Sequence, residues 1–281
     1  MITRTDAVVL KSMKYRDSSK IVTFYSRRFG KVKGIAKGAR QMKSKFGAAL
    51  EPLSAVSLIL YKKDQRELQL ISQCDTLKTY KKIHNELDRL AVGLSIIELL
   101  NQLTHDEEGN DPLYTLLVQS LDELERAQKH FMNFFLAFEL RCASVFGFMP
   151  SLETCRGCGR KLDDLVAEDS AIFQAGKGAV LCTRCWESGI AIKNGTVRSS
   201  RTLVSLGTFS DDGNIRVSIG VLKGLQRLLG APLESIGSFG FGSVLGNEID
   251  GTLRLYMRQH FEDLKPIKSF DMLKSLKRPT V

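Results

Sequence analysis

Residues 30–38 read GKVKGIAKG, and the small or apolar residues Val32, Gly34 and Ala36 occupy alternate positions in this stretch. A period of two is typical of a β-strand that buries one face, so the lysines between them are expected on the other face. Four more β-rich runs precede residue 80, at 5–15, 20–26, 55–63 and 66–74. Five short strands in so short a segment are the content of a small barrel, which predicts an OB-fold over residues 1–80.

Beyond residue 80 the spacing of apolar residues changes to three and four, which is typical of helices. Residues 85–103 form an amphipathic pattern of this kind. A second helix is expected at 111–127, where Asp111 can serve as the N-cap and Pro112 fits the first helical position. Further helical runs lie at 130–148, 221–230 and 251–264. The run at 130–148 is apolar nearly all round, which predicts a central buried helix.

These patterns predict an α+β multidomain protein. A five-stranded OB-fold barrel is followed by an all-helical domain with an inserted module of two CxxC pairs, whose four thiolates suit one zinc ion. The predicted boundaries are 1–80 for the barrel, 81–150 and 191–281 for the two parts of the helical domain, and 151–190 for the zinc module.

The positive charge is concentrated at the N-terminus. Residues 1–80 hold 17 Lys and Arg against 6 Asp and Glu, whereas the other 201 residues hold 24 against 25. A one-sided field of this kind suits a polyanion, most often nucleic acid and less often an anionic membrane. A merely solvated face would mix carboxylates with the cations.

Residues 11–45 contain twelve cations and a single acid, Asp17. Cations along a groove neutralise phosphates, and exposed aromatic rings can stack on bases. The aromatic candidates are Tyr15, Phe24, Tyr25 and Phe29, although one of the adjacent pair Phe24 and Tyr25 must face the core. The predicted DNA-binding residues are Lys11, Lys14, Arg16, Arg27, Arg28, Lys31, Lys33, Lys37, Arg40, Lys43 and Lys45.

Four of the six cysteines form two CxxC pairs, which are separated by residues 159–181. Two such knuckles supply four thiolates, which fill the tetrahedral shell of one Zn²⁺ and leave no open position. One structural zinc is therefore predicted on Cys155, Cys158, Cys182 and Cys185. Two unrelated reduced pairs, or redox dithiols, are the alternative. The neighbouring cations either neutralise the thiolates or contact DNA, namely Arg156, Arg160, Lys161 and Arg184.

The sequence shows no pattern that predicts an enzyme. The four histidines are scattered, and neither a Walker A motif nor a GxSxG motif is present. No stretch approaches the roughly 20 apolar residues needed to span a bilayer, and the N-terminus lacks the apolar core of a signal peptide. A cytoplasmic, nucleoid-associated protein without membrane partners is expected.

Four stretches of the sequence resemble the bacterial DNA repair protein RecO family. They are TDAVVLKSMKYRDSSKIVTFYSRRFGKVKGIAKGAR at 5–40, FGFMP at 146–150, GAVLCTRC at 178–185 and LKPIKSFDML at 264–273. The resemblance covers nearly the whole chain. It implies an OB-fold followed by a helical domain that the zinc module interrupts.

The resemblance also implies a function, which is recombination mediation in the RecF pathway. Proteins of this family bind single- and double-stranded DNA and anneal complementary strands. Together with RecR they help RecA to displace single-strand-binding protein, whose acidic, apolar-ended tail binds the helical region. Candidate residues for that tail are Arg254, Arg258, Lys265 and Lys268, although these cations can instead complement helix C-termini.

The sequence therefore favours a non-enzymatic DNA-binding recombination mediator. The first alternative is an RNA-binding OB-fold and zinc-ribbon protein of ribosome assembly, because basic faces serve RNA equally well. A nuclease or other DNA-processing enzyme is the second alternative, and it would need clustered acids for Mg²⁺ that the sequence does not show.

Overall fold

The structure is a computed structural model that describes residues 1–63, 66–106, 108–189 and 213–270. The chain forms two compact units. The first comprises Met1–Phe135 together with the C-terminal residues from Lys265, and the second comprises Leu136–Leu264. None of the helices described is long and apolar enough to cross a membrane.

The first unit begins with the predicted five-stranded closed barrel. Its strands are β1 (Ile2–Tyr15), β2 (Ser19–Ser26), β3 (Gly30–Ala36), β4 (Ala55–Tyr61) and β5 (Gln69–Lys78). They follow one another around the barrel in the order β1-β2-β3-β5-β4, and a short 3-10 turn at Gly47–Leu50 precedes β4. The OB-like prediction is therefore confirmed, although β5 begins and ends a few residues later than the pattern at 66–74 indicates.

The alternation in β3 is the alternation that the sequence predicts. Val32 and Ala36 are buried in the barrel core with Val22, whereas Lys31 and Lys33 lie on the outer face. The β2 aromatics behave differently from the stacking hypothesis. Phe24 fills the barrel core, and its neighbour Tyr25 is also fully buried, so neither ring is available to stack on a base.

The barrel is followed by the helices α1 (Lys81–Asn85), α2 (Leu87–Leu103) and α3 (Asp111–Arg126). The N-cap of α3 is Asn110, one residue before the predicted Asp111. Asn110 has an extended backbone, and its side chain accepts a hydrogen bond from the N–H of Leu113. Asp111 is already helical, and its carboxylate instead pairs with Arg27 on the barrel.

Residues 268–270 of the first unit contact α2 and the start of the chain segment that follows α3. Glu98 accepts hydrogen bonds from the backbone N–H groups of Lys268 and Ser269, at 2.9 and 3.0 Å, and from the Ser269 hydroxyl. Phe270 is buried and packs edge-on against Phe135, with ring centroids 4.5 Å apart. A carboxylate at the start of a helical turn satisfies N–H groups that would otherwise lack partners.

The second unit contains helices at the three predicted runs and, in addition, a β-sheet that was not predicted from the sequence. The helices are α4 (Met132–Val145), which begins at the end of the first unit, α5 (Thr183–Glu187), α6 (Ile219–Gly230) and α7 (Ser243–His260). The strands are β6 (Ser151–Cys155), β7 (Ser170–Gln174), β8 (Ala179–Cys182) and β9 (Asn214–Ser218), in the order β6-β8-β7-β9. Because β9 joins this sheet, the sheet that bears the cysteines reaches past the predicted module at 151–190.

Helix α4 is the buried helix that its apolar sequence predicts, and it carries one carboxylic acid. Glu139 is buried, and its Oε2 has no hydrogen-bond partner among the residues described. Burial, reinforced by Asp250, raises the pKa of Glu139 to about 8, although Arg254 opposes the shift. Asp250 and Arg254 pair with each other on α7 at 2.8 Å. The folded protein therefore holds Glu139 mainly protonated at neutral pH.

This burial predicts a pH-dependent stability. Between the ordinary pKa of 4.5 and the folded value of about 8, the folded state binds more protons than the unfolded state, so stability falls as the pH rises. From about pH 5.5 to about pH 7, the decrease attributable to Glu139 should be about 2 kcal/mol. Glu139→Gln should abolish this decrease. At neutral pH the variant should unfold at a higher denaturant concentration than wild type.

Chemical denaturation at several pH values measures the effect. The control is Glu153→Gln, because Glu153 is an exposed acid of the same unit. A Glu139→Gln protein whose stability falls with pH as steeply as that of wild type would contradict the assignment.

Candidate metal centre and nucleic-acid interface

The two cysteine pairs meet at one point of the second unit. Cys155 ends β6, Cys158 lies in the turn after it, Cys182 ends β8, and Cys185 lies in α5. Their four Sγ atoms all lie within 4.8 Å of one another, and only that of Cys158 belongs to an exposed residue. The strands thus bring together two pairs that 23 residues separate in the sequence.

The turn between Cys155 and Cys158 depends on a glycine. A Cβ atom on Gly157 would lie 2.9 Å from the Sγ of Cys185, so a larger residue would displace one of the cysteines. Gly159, which follows the turn, has φ +76°, a conformation that favours glycine.

The geometry of the four cysteines fits a tetrahedral metal site. The Sγ atoms of Cys158 and Cys182 are 3.8 Å apart, which is far longer than a disulfide bond of about 2.05 Å. Four sulfurs at about 2.3 Å from one ion lie about 3.8 Å from one another. The backbone N–H of Cys182 also donates to the Sγ of Cys155, at 3.3 Å. These four residues can therefore bind one metal ion.

Arg160 supports the cysteines through a hydrogen-bond network, which is one of the two roles that the sequence left open for this residue. Its backbone N–H and then its guanidinium lower the pKa of the Cys158 thiol to about 6. Hydrogen bonds to Cys158, Cys182 and Glu168 in turn raise the pKa of Arg160. Glu168 accepts from Arg160 and from the Thr183 hydroxyl, both at 2.6 Å. Arg160 is thus placed to neutralise negative charge on the cysteine sulfurs.

The other three cations near the cysteines lie at the surface and do not contact the sulfurs through the hydrogen bonds that Arg160 makes. Arg156, Lys161 and Arg184 are exposed, and the part of the chain described here offers their side chains no ion-pair partner. The sequence named Arg160 among the four cations beside the cysteines but did not decide between charge neutralisation and DNA contact. The contact between Glu168 and Arg160 could not be predicted from the sequence, because the 3-10 turn at Leu162–Glu168 that positions Glu168 was not predicted.

The eleven predicted DNA-binding cations fall into three groups in the structure. In the first group, the side chains contact acids and carbonyls of the helical segments. Arg27 pairs with Asp111, and Lys33 pairs with Asp106 at 2.7 Å. Lys31 donates to the carbonyl of Asn101 at 2.9 Å, and its side chain is only 13% exposed. Burial lowers the pKa of Lys31. These three cations hold the barrel to the helices that follow it.

In the second group, the cations contact backbone carbonyls or aromatic rings of the barrel itself. Arg40 donates to the carbonyls of Arg16 and Asp17, at 3.0 and 3.1 Å, and its backbone N–H donates to Ser18. Arg40 thereby ties the turn after β3 to the β1–β2 hairpin. The remaining members, each with a carbonyl or ring contact, are Arg16, Arg28 and Lys45.

The third group consists of exposed cations whose side chains have no partner among the described residues. They are Lys11, Lys14, Lys37 and Lys43. Unpaired cations repel one another and are free to meet an anionic ligand, whereas paired cations must first give up a carboxylate. This free set distinguishes the barrel surface from an ordinary solvated face.

The four candidates for partner binding are divided between the two compact units. Arg254 and Arg258 lie on α7 of the second unit, and Lys265 and Lys268 lie in the C-terminal part of the first. Arg254 pairs with Asp250, whereas the side chain of Arg258 is exposed. The structure describes each pair separately and does not test their grouping.

Two family models match the chain over 200 residues in total. The model described as "Recombination protein O N terminal" matches residues 1–80, and the model described as "Recombination protein O C terminal" matches residues 84–203. The chain belongs to the RecO family. The barrel is therefore the N-terminal domain of a RecO-type protein, and both cysteine pairs lie within the C-terminal match.

Individual relatives agree with the family models. The DNA repair protein RecO of Chloroherpeton thalassium is 29% identical over 279 residues, which cover 98% of this chain and 99% of that protein. The DNA repair protein RecO of Salinibacter ruber is 26% identical over 99% of this chain and 96% of its own length. The DNA repair protein RecO of Pelodictyon phaeoclathratiforme has a higher sequence identity, 38%, but the aligned residues cover only 58% of this chain and 62% of that protein.

Proposed function

We propose that this chain is a DNA-binding recombination mediator of DNA repair. It binds single- and double-stranded DNA, anneals complementary strands and, with RecR, helps RecA load onto DNA coated by single-strand-binding protein. The proposal places it in the cytoplasm at the nucleoid and assigns it no catalytic step. It rests on the unpaired cations on the barrel, which are Lys11, Lys14, Lys37 and Lys43.

Single-strand binding follows from the chemistry of these side chains. A lysine ammonium neutralises a phosphate and releases its condensed counterion, which favours binding without reading the base sequence. The hydrogen bonds of Arg40 keep the β1–β2 hairpin and the turn after β3 together. Cations from both segments can therefore contact the phosphates of one DNA strand. Annealing follows when two neutralised strands approach on the same basic surface.

The eleven predicted cations therefore have different proposed roles. Lys11, Lys14, Lys37 and Lys43 contact phosphates first, and the carbonyl-bound arginines Arg16, Arg28 and Arg40 flank them with Lys45. Arg27, Lys31 and Lys33 contribute to the field of the barrel while they hold it to the helices.

The proposed metal is one structural Zn²⁺. Cys155, Cys158, Cys182 and Cys185 would hold it, and the 3.8 Å between the sulfurs of Cys158 and Cys182 fits the tetrahedral edge that zinc requires. When bound, zinc crosslinks the turn after β6 to the start of α5. Arg160 offsets part of the negative charge of the thiolates.

The proposed protein partners are RecR, single-strand-binding protein and, through them, RecA. An acidic, apolar-ended tail needs an apolar pocket flanked by cations. Arg254, Arg258, Lys265 and Lys268 are the proposed residues for such a tail. Of the two on α7, Arg258 has the freer side chain, since Arg254 is held by Asp250.

An annealing assay on complementary oligonucleotides tests the proposed function. The protein should anneal bare strands, and strands coated with single-strand-binding protein, without nucleotide or divalent metal. Strands that fail to anneal faster than they do alone would overturn the proposal. Preferential binding of structured RNA in competition would redirect it to ribosome assembly, and cleavage of the strands with Mg²⁺ would indicate a nuclease.

A further inference from the structure

The outer face of the barrel bears a row of apolar side chains that no single stretch of sequence contains. Met13 of β1 lies opposite Ile21 of β2, Ile21 lies opposite Ile35 of β3, and Ile35 lies opposite Leu70 of β5. Neighbouring strands are about 4.8 Å apart, so the four side chains form a continuous strip about 14 Å long. We call this strip the apolar row.

The apolar row is open to solvent. Met13 is 45% exposed, and the other three side chains are partly exposed. The inner face of the same strands is filled by core residues such as Val22 and Ala36, so the row is not needed to close the barrel. A strip of this kind on the outside of a sheet is an unusual place for four aliphatic residues, because that face is ordinarily polar.

Polar residues border the apolar row on both sides. On one side, Lys11 lies opposite Thr23, and Thr23 lies opposite Lys33. On the other side, Tyr15 of β1 lies two residues from Met13, a spacing that puts both side chains on one face of the strand. Lys37 is the first residue after β3 and follows Ile35 by two positions. Of the three lysines on these borders, Lys33 is paired with Asp106 at 2.7 Å, whereas Lys11 and Lys37 have no acidic partner among the residues described.

The charge decides which ligand the row suits. Lys11 and Lys37 have no side-chain partner among the residues described, so the ligand must bring negative charge to both borders and apolar surface between them. A single nucleic-acid strand has this arrangement, because its phosphates lie along one edge and its base faces are apolar. In a duplex the base faces are stacked on one another and are not accessible.

We propose that the apolar row is a base-contact platform for single-stranded DNA, with Lys11 and Lys37 as the phosphate contacts at its borders. The platform takes the place of the aromatic rings on which bases commonly stack, since Phe24 and Tyr25 are buried. Aliphatic contacts accept every base, which suits a protein that must anneal any sequence. This inference rests on the proposed DNA-binding function.

The test compares a normal oligonucleotide with one that has phosphates but no bases. Wild type should bind an oligothymidine of about 15 nucleotides about tenfold more tightly than an abasic strand of equal length. A Met13→Ser, Ile35→Ser double variant should lose that preference. Its affinity for the abasic strand and for duplex DNA should match that of wild type, and its salt dependence should be unchanged because the lysines remain.

Two further variants separate binding from folding. Leu77→Ser is the matched control, because Leu77 is an exposed aliphatic residue of β5 outside the row, at 56% exposure; it should keep the preference for bases. Met13→Leu, Ile35→Leu should keep the preference as well, since the apolar surface remains.

The possible failures are distinguishable. A protein that binds neither oligonucleotide refutes the proposed function itself. A double variant that binds DNA and still prefers thymidine over the abasic strand overturns the platform alone. A double variant that keeps the base preference but loses binding of an acidic, apolar-ended peptide would show that the row is a peptide site.

Discussion

Cys182→Ser should abolish metal binding and unfold the cysteine-bearing part of the second unit while the barrel remains folded. Cys182 contributes one of the four sulfurs, and its Sγ also accepts the N–H of Cys185 at 3.4 Å. Structural zinc contributes on the order of 10 kcal/mol to the folding of isolated zinc fingers, so no other single substitution proposed here should have so large a local effect.

Metal analysis and hydrogen exchange measure this result. Wild type purified without chelator should contain one zinc per chain, and the variant should contain nearly none. Exchange should become fast in β6, β8 and α5 but stay slow in β1 to β4, because the barrel has its own hydrophobic core. Cys74→Ser is the matched control, since Cys74 lies in the barrel core outside the cluster.

Either of two outcomes would contradict the prediction. A wild-type protein without zinc would refute the metal centre itself. A Cys182→Ser protein with a full complement of zinc would mean that other ligands hold the ion.

Neutralising the four unpaired cations should weaken DNA binding by two orders of magnitude without loss of stability. The change is Lys11, Lys14, Lys37 and Lys43 to Gln in one protein. Each lost phosphate contact makes the slope of log K against log salt about 0.7 less steep on single strands, or about 3 for four contacts. At about 0.15 M salt this corresponds to an affinity lower by on the order of 100-fold, uniformly across base sequences.

A second quadruple variant removes the same formal charge from cations that are paired with acids. Lys20 pairs with Glu51, and Arg27, Lys31 and Lys33 pair with Asp111 and Asp106. Changing these four to Gln should lower stability, because contacts between the barrel and the helices are lost, and should change the salt slope less. Salt titrations of DNA binding and thermal unfolding compare the two proteins.

Equal losses of affinity in the two variants would mean that net charge alone, and not the unpaired set, binds DNA. An unpaired-set variant that binds and anneals like wild type would place the DNA site elsewhere, for example at Arg156, Lys161 and Arg184 beside the cysteines.

Local patterns were sufficient for the barrel and for the cluster of four cysteines. The alternation in 30–38 depends only on which side chains avoid water, and β3 buries Val32 and Ala36 accordingly. A CxxC pair brings its two sulfurs together through a tight turn, so both knuckles could be read from the sequence, and all four sulfurs meet. The small sheet was not predicted, because its strands are only four or five residues long and β9 lies far along the chain from the others.

The sequence by itself determined the excess of positive charge at the N-terminus, but only the tertiary structure decided which cations are free. Lys33 and Lys37 are alike in the sequence, yet Lys33 meets Asp106, which is 73 residues away, and Lys37 meets no described acid. The apolar row likewise exists only through strand register, since its four members come from four strands. The physical reason is the same in both cases. Residue type fixes the charge or apolarity of a side chain, whereas its availability depends on the distant segments that folding brings within contact distance.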